Sequence, residues 1–139
     1  MADANDFNEQ IIEEFRGNAG VVGGPFEGAS LLILHSKGAK SGTERLNPLL
    51  CFNVDGGGVA IIASAAGGPK HPAWFHNLIA NPDVTMEIGA ETDVKVKARN
   101  TDGAERDKIY ADAKANFAGF AEYEKSTDRT FPVFVLDRA

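Results

Sequence analysis

Within residues 6–16, Phe7, Ile11 and Phe15 recur at four-residue intervals among charged positions, a stripe that predicts an amphipathic helix. Asp6 can cap it, Glu9 three residues later completes a capping box, and Gly17 stops it. After the glycine-rich connection GNAGVVGGPFEGA come apolar runs of strand character: SLLILHS, ERLNPLLCFNV and GVAIIAS. DGGG separates the last two and signals a hairpin of the Asp-Gly type, so a meander is expected. In HPAWFHNLIANP, Pro72 suits a first helical turn, and Trp74 with Leu78 and Phe75 with Ile79 repeat at four residues until Asn81-Pro82 ends a short helix. VTMEI follows as a strand. DVKVKAR alternates Val94, Val96 and Ala98 with Lys95, Lys97 and Arg99, the pattern of a half-exposed antiparallel strand with its lysines in solvent. Asp102 and Glu105 repeat the capping box at the start of a helix that runs to about Phe117, and FPVFVLD makes the last strand. Strands dominate and no βαβ alternation runs through the chain. The expected fold is mainly β with helices (α+β): a small antiparallel barrel of about six strands, with three helices across its openings.

Composition narrows what such a barrel does. With 139 residues, 43% hydrophobic and 24% charged, the chain suits one globular domain, residues 1–139, with a real core and a single site. No apolar stretch approaches the ~20 residues of a membrane span. MADANDFNEQIIEEF is acidic and amphipathic, where a secretory signal would be basic and then apolar. The single cysteine, Cys51, has no internal disulfide partner, and the expected compartment is the cytoplasm. A formal net charge of −6 argues against a nucleic-acid backbone or an anionic membrane surface as partner. Residues 37–70 differ: Lys37, Lys40, Arg45 and Lys70 against Glu44 and Asp55 give +2, while the rest of the chain carries −8. A locally basic segment in an acidic chain suits a small anionic ligand, though ordinary solvated loop charges would give the same pattern.

The segment SKGAKSGTERLNP carries most of that charge. It is not a nucleotide-binding P-loop, because Ala39 and Leu34 stand where GxxxxGK[ST] needs glycine. It is not a nucleophile elbow either, since GxSxG needs the serine one place before Ser41. His35, His71, His76 and Cys51 lack the spacing of metal-ligand pairs, so no metal is expected. What remains is a loop with Gly38 and Gly42, two lysines, a hydroxyl and Arg45, groups that meet anionic oxygens with backbone amides and charge-assisted hydrogen bonds.

Together, GAKSGTERLNPL, IIASAAGGPKHPAWFHNLIANPDV and AEYEKSTDRTFPVFVL resemble the deazaflavin-dependent nitroreductase family, over about Ser30 to Leu136. The resemblance implies a split β-barrel and coenzyme F420, a flavin analogue with a phosphate and a glutamate tail. It further implies that Lys40, Ser41 and Arg45 hold phosphate and tail, and that Leu46, Asn47, Pro48, Leu49 and Leu50 line the ring and side chain. Ile62, Ala63, Ser64 and Ala65 would offer backbone groups to the ring edge. Ala73, Trp74, Phe75, His76 and Asn77 would complete the cofactor site, with Trp74 equally suited to be a core anchor. Ala39 belongs to the same set and is a departure, because the family commonly has a basic residue there; Lys37 can compensate. Near the final helix the family often shows tyrosines that contact cofactor and substrate. Here Phe117, Phe120 and Tyr123 recur every third residue as an expected apolar substrate pocket, which aromatics at helical spacing would also give as plain core. Tyr123 is the candidate proton donor and Tyr110 a more distant one.

The implied activity is hydride transfer from reduced F420 to a small apolar electrophile such as a quinone, an enone or lactone, or a nitro compound. Two alternatives stand beside it: an FMN enzyme on a similar barrel, and a barrel that carries a cofactor or lipophile without turnover. No apolar stripe is left over to indicate an oligomeric state.

Overall fold

A computed structural model of the chain describes residues 4–18, 20, 30–39, 42–54, 58–64, 70–117, 119–127 and 130–138, with residues 4–8 as backbone alone. Its strands are β1 (Leu31–Lys37), β2 (Glu44–Leu50), β3 (Phe52–Asn53), β4 (Val59–Ile62), β5 (Asp83–Ile88), β6 (Glu91–Asn100) and β7 (Val133–Arg138). Every pairing is antiparallel, in the order β2-β1-β5-β6-β7-β4-β3. β2 and β3 are therefore the two edges of the sheet, yet only Cys51 separates them in the chain. Leu50 and Phe52 lie no more than about 7.6 Å apart along two peptide units. The edges must meet there, and the sheet curls into a split half-barrel.

Curling gives each strand an inner and an outer face, between which successive side chains alternate. Leu32 and Leu34 of β1, Ile61 of β4, and Phe134 and Leu136 of β7 fill the inside with Met86 and Val96. The outer faces of these strands are apolar as well because helices cover them. α1 (Ala4–Gly17) lays Ile11, Ile12 and Phe15 on Leu31 and Ile33. α3 (Gly103–Asn116) and α4 (Gly119–Glu124) lay Ile109, Ala113 and Phe120 over Ala60, Ile62, Val133 and Val135. Burial on both faces is why LLIL, VAII and VFVL are unbroken apolar runs. β6 alternates because its Lys95 and Lys97 face solvent.

α2 (Ala73–Ala80) connects the end of β4 to the start of β5 and sends Trp74 and Leu78 into the inner cluster, plugging that end of the barrel. Antiparallel pairing places the end of β1, the start of β2, the start of β5 and the end of β4 at this same end.

The structure corrects the sequence pattern in four places. The expected strand 44–54 divides at Cys51, where the chain passes from one sheet edge to the other, so about six strands become seven. A fourth helix, α4, follows Phe117, which caps α3. The second capping box does not form: Asp102 makes no side-chain cap bond, Gly103 takes φ +57°, and Glu105 pairs with Arg99 at 2.6 Å. The last strand starts at Val133, with Phe131 buried ahead of it. The side chains of Asp6 and Phe7 lie outside the described residues, as do 55–57 of the DGGG turn. The arms of that hairpin pair as Phe52 with Ala60 and Asn53 with Val59.

Candidate functional site

The basic loop leaves β1 at the plugged end of the barrel. Its base closes on itself: Gly38 N–H donates to the Thr43 carbonyl at 2.8 Å and Gly42 N–H to the Gly38 carbonyl at 2.9 Å. Gly42 has φ +70°, a conformation that side chains disfavour and glycine adopts freely. Lys40 and Ser41, the tip of the loop, lie outside the described residues. Ala39 is exposed, but its N–H is committed to Asn77 Oδ1 at 3.0 Å. Asn77 Nδ2 in turn donates to Ser36 Oγ at 3.2 Å.

Lys37 and Arg45 flank the loop, exposed on β1 and β2; among the described residues neither is in an ion pair, and Glu44 stands directly opposite Lys37 in the ladder. Some cations elsewhere are engaged, Arg99 with Glu105 and Asp137, Arg138 with Glu91, and Lys114 with Glu124, while Lys70, Lys95 and Lys97 are exposed like Lys37 and Arg45. The described base of the turn thus carries two cations against one carboxylate, in a chain that is acidic as a whole.

The register separates the β2 residues. Arg45, Asn47 and Leu49 pair with Ser36, Leu34 and Leu32 and so share the inner face. Leu46, Pro48 and Leu50 share the outer face with His35, Ile33 and Leu31, where Leu46 and Leu50 pack toward α1. Pro48, which has no N–H for a ladder, is tolerated because β2 is an edge strand. At the end of β4, Ile62 faces the α3 layer and Ala63 the barrel interior, the Ala63 N–H donating to the Pro132 carbonyl at 2.8 Å. Ser64 is buried beyond it, and Ala65 lies outside the described residues.

On α2, Trp74 is buried edge-on against Phe134, ring centroids 6.1 Å apart, and anchors the helix in the barrel. Phe75 is half-buried between Phe134 and His71, whereas Ala73 and His76 are exposed. Arg45, the loop base, Ala63 and α2 are thus brought to one end.

Phe117, Phe120 and Tyr123 form a separate stack over the outer face of β4 and β7, centroids 5.3 to 6.5 Å apart. Phe120 is 2% exposed and serves as core. Phe117 lines a cavity of about 340 Å³ with Leu50, Cys51 and Phe52. Leu50 lies six residues along β2 from Glu44, about 20 Å at strand spacing, so Phe117 is not gathered with the basic loop. The Tyr110 hydroxyl donates to Glu124 Oε1 at 2.5 Å beneath Arg106 and Lys114; burial first, and this bond second, push its pKa up. A phenol so held is a poor acid, and Tyr110 is a latch between α3 and α4.

The sequence pattern missed an ionic cluster under α1. Glu87, 4% exposed, accepts from Arg16 Nε at 3.0 Å and Nη2 at 2.7 Å, and pairs with His35 Nε2 at 2.7 Å. The Arg16 hydrogen bonds hold the Glu87 carboxyl below the usual carboxylate range, with His35 adding to them and burial opposing. Its signal was an acid, Glu87, in the interior of an apolar strand, on the phase it shares with Asp83 and Thr85. A concavity of about 640 Å³ lies beside it, lined by Phe15 and the β5–β6 turn.

A family model for F420H(2)-dependent quinone reductases matches residues 9–138, nearly the whole of this barrel and its helices. The chain belongs to the F420H(2)-dependent quinone reductase family. It is 36% identical over 129 residues to an F420H(2)-dependent quinone reductase of Mycobacterium tuberculosis, an alignment covering 89% of this chain and 85% of that one. Among solved structures, an F420H2-dependent reductase superposes with a TM-score of 0.67 at 37% identity, over 77% of this chain and 93% of its own. Another, described as a domain-swapped dimer, gives 0.71 at 31% identity over 97% of this chain and all of its own. The family is one of oxidoreductases with coenzyme F420 as cofactor, so the sequence resemblance and the half-barrel lead to the same place.

Proposed function

We propose that the chain is a single F420-binding domain of the cytoplasm that reduces a quinone, or another planar electrophile such as an enone, a lactone or a nitro compound. The observation that carries this reading is the pinned glycine turn that leads to Arg45 on the inner face of β2, with Lys37 on its other flank. Donors of this kind fit a phosphate and a polyglutamate tail, and guanidinium in particular takes such oxygens two at a time. Lys40, Ser41 and Arg45 would hold that anionic part, and Ala39, its N–H committed to Asn77, would shape the turn that carries them. Asn47 and Leu49, from the inner face of β2, would meet the ring and side chain, with Leu46, Pro48 and Leu50 backing them. Ile62 to Ala65 and Ala73 to Asn77 would close the site.

Reduced F420, when bound, supplies a hydride. The residues around it then need only orient the acceptor and exclude water, which agrees with a site built from binding groups. Phe117 and Tyr123, the accessible members of their stack, would supply the apolar side, Phe120 supporting them from the core, and Tyr123 is the candidate to give the acceptor its proton. A Tyr123→Phe variant is expected to lose several-fold in kcat at unchanged F420 affinity; an unchanged kcat would assign the proton to water.

The test of the cofactor reading is a fluorescence titration with F420, repeated with Lys40→Ala and Arg45→Ala and in competition with FMN. Micromolar binding is expected, weakened by each substitution and indifferent to FMN. Preference for FMN, or affinity independent of both cations, would overturn it.

A further inference from the structure

A buried side chain ties the basic turn to the barrel. The two hydrogen bonds at its base, Gly38 to Thr43 and Gly42 to Gly38, are internal to it and hold its shape. The bond from Ala39 N–H to Asn77 Oδ1 is different in kind, because Asn77 belongs to α2, whose Trp74 and Leu78 are locked into the core. Asn77 is 6% exposed, and the other end of its amide donates to Ser36 Oγ, itself 1% exposed on β1. Each end of the carboxamide therefore has a partner inside the protein. Asparagine suits this place because one planar group both accepts and donates. Aspartate would lose the donor and set a negative charge beneath the cationic turn, and alanine would lose both bonds.

We infer that Asn77 is a positioning residue for anion recognition: it pins the turn between Lys37 and Arg45 in place without offering a group to the ligand. The inference rests on the reading above that this turn takes the anionic part of F420. A turn held before binding loses less freedom on binding, so removing the pin weakens affinity through ordering and not through lost charge.

Two measurements distinguish these routes. Amide hydrogen exchange at Ala39, in protein without ligand, should speed up in Asn77→Ala. F420 titrations at several salt concentrations should show Asn77→Ala raising Kd about tenfold with the salt dependence of the parent, since no charge has been removed. Arg45→Ala should raise Kd and flatten the salt dependence. Ala39→Pro removes the same N–H from the exposed side and serves if Asn77→Ala does not fold. The Asn77→Ala, Ala39→Pro double variant should lose no more affinity than either alone. Faster exchange with an unchanged Kd, or losses that add in the double variant, would overturn the inference while the Arg45→Ala result upholds the loop as the anion site. If neither Arg45→Ala nor Asn77→Ala moves Kd, the loop reading fails and the inference with it.

Discussion

At the scale of single residues, the same chemical group is given different work by its surroundings. Tyr110 and Tyr123 both lie in the layer outside the sheet, but Tyr110 is buried with its hydroxyl on Glu124, and Tyr123 is half-exposed at the edge of the stack. Tyr110→Phe should leave turnover at the parent's level and lower the free energy of unfolding by about 1 kcal/mol, modest because Glu124 and Lys114 are both well solvated. Denaturant titration beside steady-state kinetics would check it; a fall in kcat would return Tyr110 to the chemistry. The sequence put Trp74 in the cofactor site and Phe120 in the substrate pocket with a core role as the alternative, and both are buried in apolar clusters. The commitment of Asn77 was not legible, because its partners Ser36 and Ala39 lie 41 and 38 residues away.

Among the elements, α1 shows how a helix is fixed by more than its apolar stripe. Ile11, Ile12 and Phe15 supply burial on β1, and the bonds of Arg16 to Glu87 tie the end of the helix to β5. Because the folded-state pKa of Glu87 is lowered from an ordinary 4.5, its stabilisation is fully present above that value and is lost as pH falls through the depressed one. Glu87→Gln should cost about 1–2 kcal/mol at pH 7, toward the low end for a charged hydrogen bond because Arg16 is half-exposed. The gap between variant and parent should narrow in urea titrations below about pH 4.5. A gap that stays constant with pH would show that the cluster does not act through charge. β2 gives the complementary lesson: a contiguous motif from Arg45 to Leu50 reads as one site in the sequence, yet period-2 alternation sends half of it to each face.

For the molecule as a whole, the decisive feature is the crossing at Cys51, where the two sheet edges meet. Burial pushes the Cys51 thiol up to about 12, leaving roughly one part in ten thousand ionised at pH 8. Native protein is therefore expected to resist a small alkylating reagent at pH 8 and to take up one equivalent in denaturant, read by intact mass. Rapid labelling of the native protein would mean that the seam opens. Hydrophobic periodicity and turn residues were enough to mark α1, α2, α3 and most strands, because those signals are local. The basic turn and the family motif were likewise carried by contiguous residues, which is why the cofactor class could be read from the chain. Strand order, the division at Cys51, the outer-face role of Phe120 and the bond from Asn77 to the turn were settled only on folding. Each depends on contacts between segments far apart in the chain, and no local pattern of side chains encodes which distant partner a residue will meet.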